Sequence, residues 1–141
     1  MTSVDPGRAA APTVFNPAPL HDPTPHGYST AVITPANGRL AFVSGQGGQD
    51  ARGALSPDFA RQVAQAYANL GAVLEALRAR PNQVVKLTVF VVDHDMPKLG
   101  ALTEAVTGMF GGALPAQTLV PVPTLAVDGM LFEVEAVVAL P

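Results

Sequence analysis

Val84-Val85-Lys86-Leu87-Thr88-Val89-Phe90-Val91-Val92 is the stretch on which the reading of this chain turns. Successive side chains of an extended strand point to opposite faces, so Val85, Leu87, Val89 and Val91 share one face. Val84, Phe90 and Val92 share the other with Lys86 and Thr88. Neither face is polar enough to meet water, which makes this a central strand covered on both sides. The end of the chain repeats the pattern: Phe132, Val134, Ala136 and Val138 lie on one side, and Leu131, Glu133, Glu135 and Val137 on the other. Two amphipathic helices are available as cover. The first starts at Ser56-Pro57-Asp58, with Ser accepting from free backbone N–H groups and Pro tolerated in the first turn. Its apolar stripe is Ala60, Val63, Tyr67, Leu70, Leu74 and Leu77, and Arg80-Pro81 stops it. The second starts around Asp95-Met96-Pro97, buries Leu99, Leu102, Val106, Met109 and Phe110, and ends at Gly111-Gly112. Two helices cover one face of such a sheet. The other stays apolar over more area than a monomer ordinarily exposes, which predicts a symmetric homo-oligomer.

Outward from these elements the chain is punctuated by 14 prolines and 13 glycines. Thr30 to Pro35 and Arg39 to Ser44 are β-rich and flank Ala36-Asn37-Gly38. An Asn-Gly pair suits a tight turn with positive φ at both central residues, so the two segments are expected to form a hairpin. The order of elements is then ββ, α, β, α, ββ, without an internal repeat. Residues 1–12, rich in Ala, Pro and small polar groups and lacking periodicity, read as a flexible N-terminal tail. Residues 13–141 read as one domain, since 141 residues with 48% apolar content make one substantial core and hardly two.

Composition excludes several function classes. The formal net charge is −3 with no cluster of Lys or Arg, so no electrostatic footprint for nucleic acid or an anionic membrane is present. The absence of cysteine removes disulfides, thiolate nucleophiles and sulfur-ligated metals. His21, His26 and His94 show no helical or ribbon spacing, so no metal site and no cofactor is expected. Asp93-His94-Asp95 invites a triad, but strand neighbours point to opposite faces, and the segment reads as a strand end passing into a helix cap. No apolar run approaches the roughly 20 residues that span a bilayer, and Met1 to Pro12 lacks a signal peptide's pattern. A cytoplasmic address is the default.

Five segments in order resemble one family: Gly27-Tyr28-Ser29, Val43-Ser44-Gly45-Gln46, Asn69-Leu70, Val84 to Phe90, and Phe132-Glu133-Val134-Glu135-Ala136. Before the last stands Pro115-Ala116-Gln117-Thr118. This pattern is similar to the Rid family, also called YjgF/YER057c/UK114, from about Pro25 to Leu140. The resemblance implies an α+β, chorismate-mutase-like fold, with a mixed β-sheet packed on two α-helices. It also implies a homotrimer with a barrel-like core, active sites in clefts between subunits, and a small-molecule ligand. Some relatives are described as ribonucleases, a role that the acidic balance of this chain argues against.

By the same resemblance, Glu133 orients the water that attacks an imine carbon, and Tyr28 turns its hydroxyl to the ligand. Each has a plainer reading, Glu133 as a structural carboxylate at a subunit boundary and Tyr28 as interface packing. Ser44 and Gly45 present backbone groups and a small side chain, glycine allowing close approach. Gly47 and Gly48 lack the spacing of a phosphate loop and read as a flexible turn. Lys86 and Glu135 are expected to form a partly buried ion pair. Thr103 aligns with an Asn of many relatives, Thr30 with a common Gln and Gly27 with a common Pro. Where the family's deaminating members carry an Arg that grips the substrate carboxylate, this chain has Gln117, which can hydrogen-bond but carries no charge. The expected activity is hydrolysis of an enamine, imine or related labile C–N compound other than the usual 2-imino acid. Gln117 and Thr118 would contact the ligand, with Gln117 recognising a neutral or amide-bearing group. The alternative is a non-catalytic metabolite-binding or regulatory trimer.

Overall fold

The computed structural model describes residues 11–141. The tail expected over residues 1–12 therefore lies, but for its last two residues, outside the described part. The elements are β1 (Thr13–Phe15), β2 (Ala31–Ile33), β3 (Arg39–Gly47), α1 (Phe59–Ala76), β4 (Val84–Val92), α2 (Met96–Phe110), β5 (Ala116–Val122) and β6 (Phe132–Leu140). Four strands form a mixed sheet in the order β3-β6-β4-β5. β6 runs antiparallel to both β3 and β4, and β5 runs parallel to β4 through the α2 crossover.

Both helices pack on one face of this sheet, as the patterning of its two central strands predicts. Leu87, Val89 and Val91 of β4 and Phe132, Val134 and Val138 of β6 are fully buried there, against Val63, Leu70 and Leu74 of α1 and Leu102, Val106 and Phe110 of α2. Phe132 also meets Tyr67 and Phe59, with ring centroids 5.8 and 6.3 Å away, a favourable aromatic spacing. On the helix-free face Lys86, Thr88, Phe90, Glu133 and Val137 are half-buried, Glu135 is exposed, and Phe42 is 76% exposed.

Local chemistry sets the helix ends. The Asp58 carboxylate accepts from Arg61 N at 2.9 Å and is the N-cap of α1. The cap is thus not Ser56, whose hydroxyl instead accepts from Asp58 N at 3.1 Å, and Pro57 precedes the helix. α1 closes before Arg80-Pro81, where Arg78 takes φ 55° and Ala79 N donates to Leu74 O at 2.8 Å. Asp95 caps α2, accepting from Lys98 N at 3.2 Å, so Asp93-His94-Asp95 is the strand-to-helix passage expected. Among the described residues no helix is long and apolar enough to cross a membrane.

The expected hairpin is corrected. The segments around Asn37-Gly38 are strands, but β2 pairs with β1 and β3 pairs with β6. Only Asn37, at φ 65°, takes positive φ in this turn, whereas a two-residue hairpin turn of the Asn-Gly kind needs it at both positions. Gly38 serves a different end: a Cβ there would lie 2.6 Å from the Leu140 carbonyl oxygen, so glycine admits the end of β6. The apolar stripe of α1 is also corrected at one place. Ala60 is exposed, and Gln62 is completely buried in its stead.

Candidate active site

Gln117 sits opposite the fully buried Leu87 in the β4–β5 register and so faces the helix-covered side of the sheet. A cavity of about 360 Å³ opens there, lined by Gln117 and Leu119 of β5, Leu99, Leu102, Thr103 and Val106 of α2, and His26 and Tyr28. Local backbone chemistry brings the last two in. A 3-10 turn over Thr24–His26 ends at Gly27, whose φ of 84° is left-handed and whose N–H donates to Thr24 O at 3.0 Å. A Cβ on Gly27 would lie 2.6 Å from Val106 Cγ1, so the same glycine lets the turn close on α2. Beyond it, Ser29 N donates to Pro115 O at 2.9 Å and the buried Ser29 hydroxyl donates to Leu114 O at 2.6 Å. These bonds clamp the Tyr28 segment to the start of β5.

The Tyr28 hydroxyl lies 2.8 Å from His21 Nε2, and the His21 ring meets His26 edge to face at 6.3 Å. Asp22 stands beside them. The Thr24 backbone N–H donating to its carboxylate holds Asp22 below its ordinary value, with the Thr24 hydroxyl and the two imidazoles acting in the same direction. The Gln117 Oε1 atom is buried and has no hydrogen-bond partner. Apolar walls, an imidazole, a phenol, a threonine hydroxyl and an unpaired amide oxygen thus meet in one cavity.

The remaining candidates lie on the other side of the sheet. Glu133 and Phe90 are paired on the helix-free face, and the Glu133 carboxylate lies over Gly45, filling the space a Cβ would take there. Ser44 and Gly45 occupy a bulge between Val43 and Gln46, where the β3–β6 register shifts, and Ser44 is exposed. Thr118, next to Gln117 and therefore on the opposite face, accepts from Lys86 Nζ at 2.8 Å. This corrects the expected Lys86–Glu135 ion pair: Thr88, not Lys86, is the register partner of Glu135, and Lys86 reaches across to β5.

The structure therefore brings Tyr28, Thr103 and Gln117 together, places Gly45 with Glu133, and separates the two groups by the thickness of the sheet. Thr30 is exposed, its N–H donating to Asn16 Oδ1 at 2.7 Å. Gly47 and Gly48 are not a flexible turn. Both are buried, and a Cβ would lie 2.5 Å from Met130 Cε at Gly47 and 2.6 Å from the Gln62 backbone at Gly48. A larger, more open hollow of about 430 Å³ over Gly48, Asp50, Ser56, Arg61 and Gln65 contains none of the candidates. His21 and His26 are site neighbours that the sequence reading passed over, because their lack of metal-ligand spacing said nothing about their approach to Tyr28. Among the described residues no group of three or more His, Asp and Glu side chains is placed to hold a metal ion.

Comparison with known proteins agrees with this architecture. The family model described as Endoribonuclease L-PSP matches residues 20–140. The 2-iminobutanoate/2-iminopropanoate deaminase of Mus musculus is 37% identical over 101 residues, covering 70% of this chain and 73% of the relative. RutC family protein YjgH of Escherichia coli (strain K12) is 33% identical over 116 residues, 82% of this chain and 85% of its own. The crystal structure of YyfB from Yersinia pestis, a protein of unknown function in the conserved Rid family, superposes with a TM-score of 0.87 at 34% identity, covering 93% of this chain and all (100%) of that one. With a family model that spans nearly all of the described fold and relatives matched over most of their length, this chain belongs to the Rid (YjgF, Endoribonuclease L-PSP) family.

Proposed function

We propose that this chain is a deaminase-like hydrolase acting on an imine, enamine or related labile C–N compound, in clefts between the subunits of a homotrimer. The observation that carries the proposal is the split of the candidate residues across the sheet. Glu133 and Gly45 lie on the uncovered face, Gln117, Tyr28 and Thr103 line a cavity on the covered one, and a cleft between neighbouring copies is how the two sets would meet. Relatives named 2-iminobutanoate/2-iminopropanoate deaminase support the reaction class. In that reaction water adds its oxygen to the imine carbon, the nitrogen takes up protons and leaves as ammonia, and a carbonyl remains. Glu133 would orient the water and accept its proton, and the Tyr28 hydroxyl would donate toward the departing nitrogen.

Gln117 sets the substrate apart. A desolvated charge-assisted contact to a carboxylate contributes about 2–5 kcal/mol, so its loss weakens binding of an amino-acid-derived 2-imino acid by a factor of about thirty to several thousand. The preferred substrate is accordingly a labile C–N compound without that carboxylate. The same uncharged residue favours the second reading, a metabolite-binding trimer without turnover. RNA cleavage, which the family model's description suggests, is disfavoured by the net charge of −3.

The test is hydrolysis of 2-iminopropanoate generated in situ by wild type, Gln117→Arg and Glu133→Ala. Wild type is expected to be poor, Gln117→Arg to gain at least tenfold, and Glu133→Ala in that background to lose the gain. Wild-type turnover equal to that of Gln117→Arg would show that no charged anchor is needed. Silence of both would favour the binding protein.

A further inference from the structure

We infer that the Gln117 cavity receives the hydrogen-bonding edge of a neutral amide, either a primary carboxamide or a lactam, in which an N–H and a C=O stand side by side. This deepens the function proposed above and rests on the cavity being the ligand site, but it concerns recognition and holds whether or not turnover follows. Its starting point is the unpaired Gln117 Oε1, a buried acceptor in a protein interior where nearly all such atoms are satisfied. Among the described residues no donor reaches it, and the open space beside the carboxamide is the cavity itself. The missing donor therefore belongs to whatever fills that space.

Three ligand chemistries can be compared against this lining. A carboxylate offers acceptors only. It would pair with the Gln117 NH₂, leave Oε1 unsatisfied, and enter a cavity walled mainly by Leu99, Leu102, Val106 and Leu119, where His26 is the only basic side chain and no Lys or Arg offers a permanent charge. An ammonium or guanidinium group would supply donors, but no lining residue of the same chain is a carboxylate, and the Glu133 that a neighbouring copy would bring is assigned to the water. An amide edge satisfies both ends of Gln117 at once, its N–H donating to Oε1 and its C=O accepting from Nε2, without bringing a charge into an apolar site. The last side-chain torsion of Gln is broad, and a half-turn about it exchanges the oxygen and nitrogen, so the pair can form in either sense. The Tyr28 hydroxyl, shared with His21 Nε2 at 2.8 Å, and Thr103 Oγ1, which donates to His26 O at 3.4 Å, keep acceptor lone pairs for the second face of the same group.

The experiment compares two probes of nearly equal size, 2-oxopropanamide and pyruvate. Their dissociation constants are measured by NMR titration with wild type, Gln117→Leu and Gln117→Arg, all at one mildly alkaline pH. Wild type is expected to bind the amide at least tenfold more tightly than the acid. Gln117→Leu should abolish the preference, and Gln117→Arg should reverse it. Equal or tighter binding of pyruvate by wild type would overturn the inference. So would a preference for the amide that survives Gln117→Leu, or no amide binding by wild type at tens of millimolar. Failure of the hydrolysis test with this preference intact would reject the reaction and keep the ligand class. Hydrolysis of 2-iminopropanoate by wild type without an amide preference would do the opposite.

Discussion

Gly45 and Glu133 are tied by volume, because the Glu133 carboxylate occupies the place of a Gly45 side chain. Gly45→Ala must push the carboxylate aside, and overpacking of this kind costs about 1–3 kcal/mol. In a Glu133→Ala background the space is empty, so the same substitution is expected to cost at least about 1 kcal/mol less. Urea denaturation of the four proteins measures that coupling, and additive effects would mean that the two residues do not touch. Glycine beside a pocket was legible in the sequence; which side chain needs the room was not, since Gly45 and Glu133 are far apart in the chain and their contact depends on a bulge. Gln117 and Thr118 show the same limit. Their opposite orientation follows from strand parity alone, but only the β4–β5 register shows that Gln117 takes the covered side and Thr118 meets Lys86.

At the scale of elements, α1 joins a legible apolar stripe to a polar device hidden within it. Gln62 Nε2 donates to Ser56 O at 2.7 Å and Gly129 O at 2.8 Å, while Oε1 accepts from Leu131 N at 2.8 Å. One buried side chain thereby fastens two loops to the helix. Gln62→Leu keeps the bulk but strands all three partners, and a loss of about 2–4 kcal/mol is expected from denaturant midpoints. A loss under half that would mean that water replaces the amide. Tyr67, one turn and a half further on, gives a pH signature. Burial pushes its phenol up from the ordinary value of 10.0, so the folded state keeps the proton that the unfolded chain releases. Stability is therefore intact below that value and falls as pH rises above it. Tyr67→Phe is expected to show a shallower alkaline decline, with parallel profiles as the contrary result. β4, β6 and both helices could be read because their periodicity is long and local. The β2–β3 hairpin could not, because which strand β3 pairs with is decided by the far end of the chain, and the three residues of β1 carry no pattern at all.

For the whole molecule the unsettled surface is the helix-free face of the sheet. Phe42, 76% exposed, stands there at the rim of a hollow with Lys86, Thr88, Glu135 and Val137. Apolar side chains of this size on a flat sheet are what a second copy would cover, and the proposed trimer would use this face while completing each site with a neighbour's residues. Complementation tests both ideas together. Glu133→Ala and Gln117→Leu subunits each carry one defect, so neither alone should support Glu133-dependent hydrolysis of an imine without a carboxylate, the substrate class proposed for wild type. If each site takes Glu133 from one subunit and Gln117 from the next, random mixing in equal amounts joins an intact Glu133 to an intact Gln117 in about one cleft in four. Unfolding and refolding the two variants together should then restore about a quarter of wild-type activity, while refolding each alone should restore none. Were the site contained within one chain, every chain in the mixture would still be defective and the mixture would stay silent. Adding Phe42→Glu to both variants supplies the link to the surface: it should leave monomers on sedimentation and remove the restored quarter, because a charge on that face opposes the contact that brings the two halves of the site together.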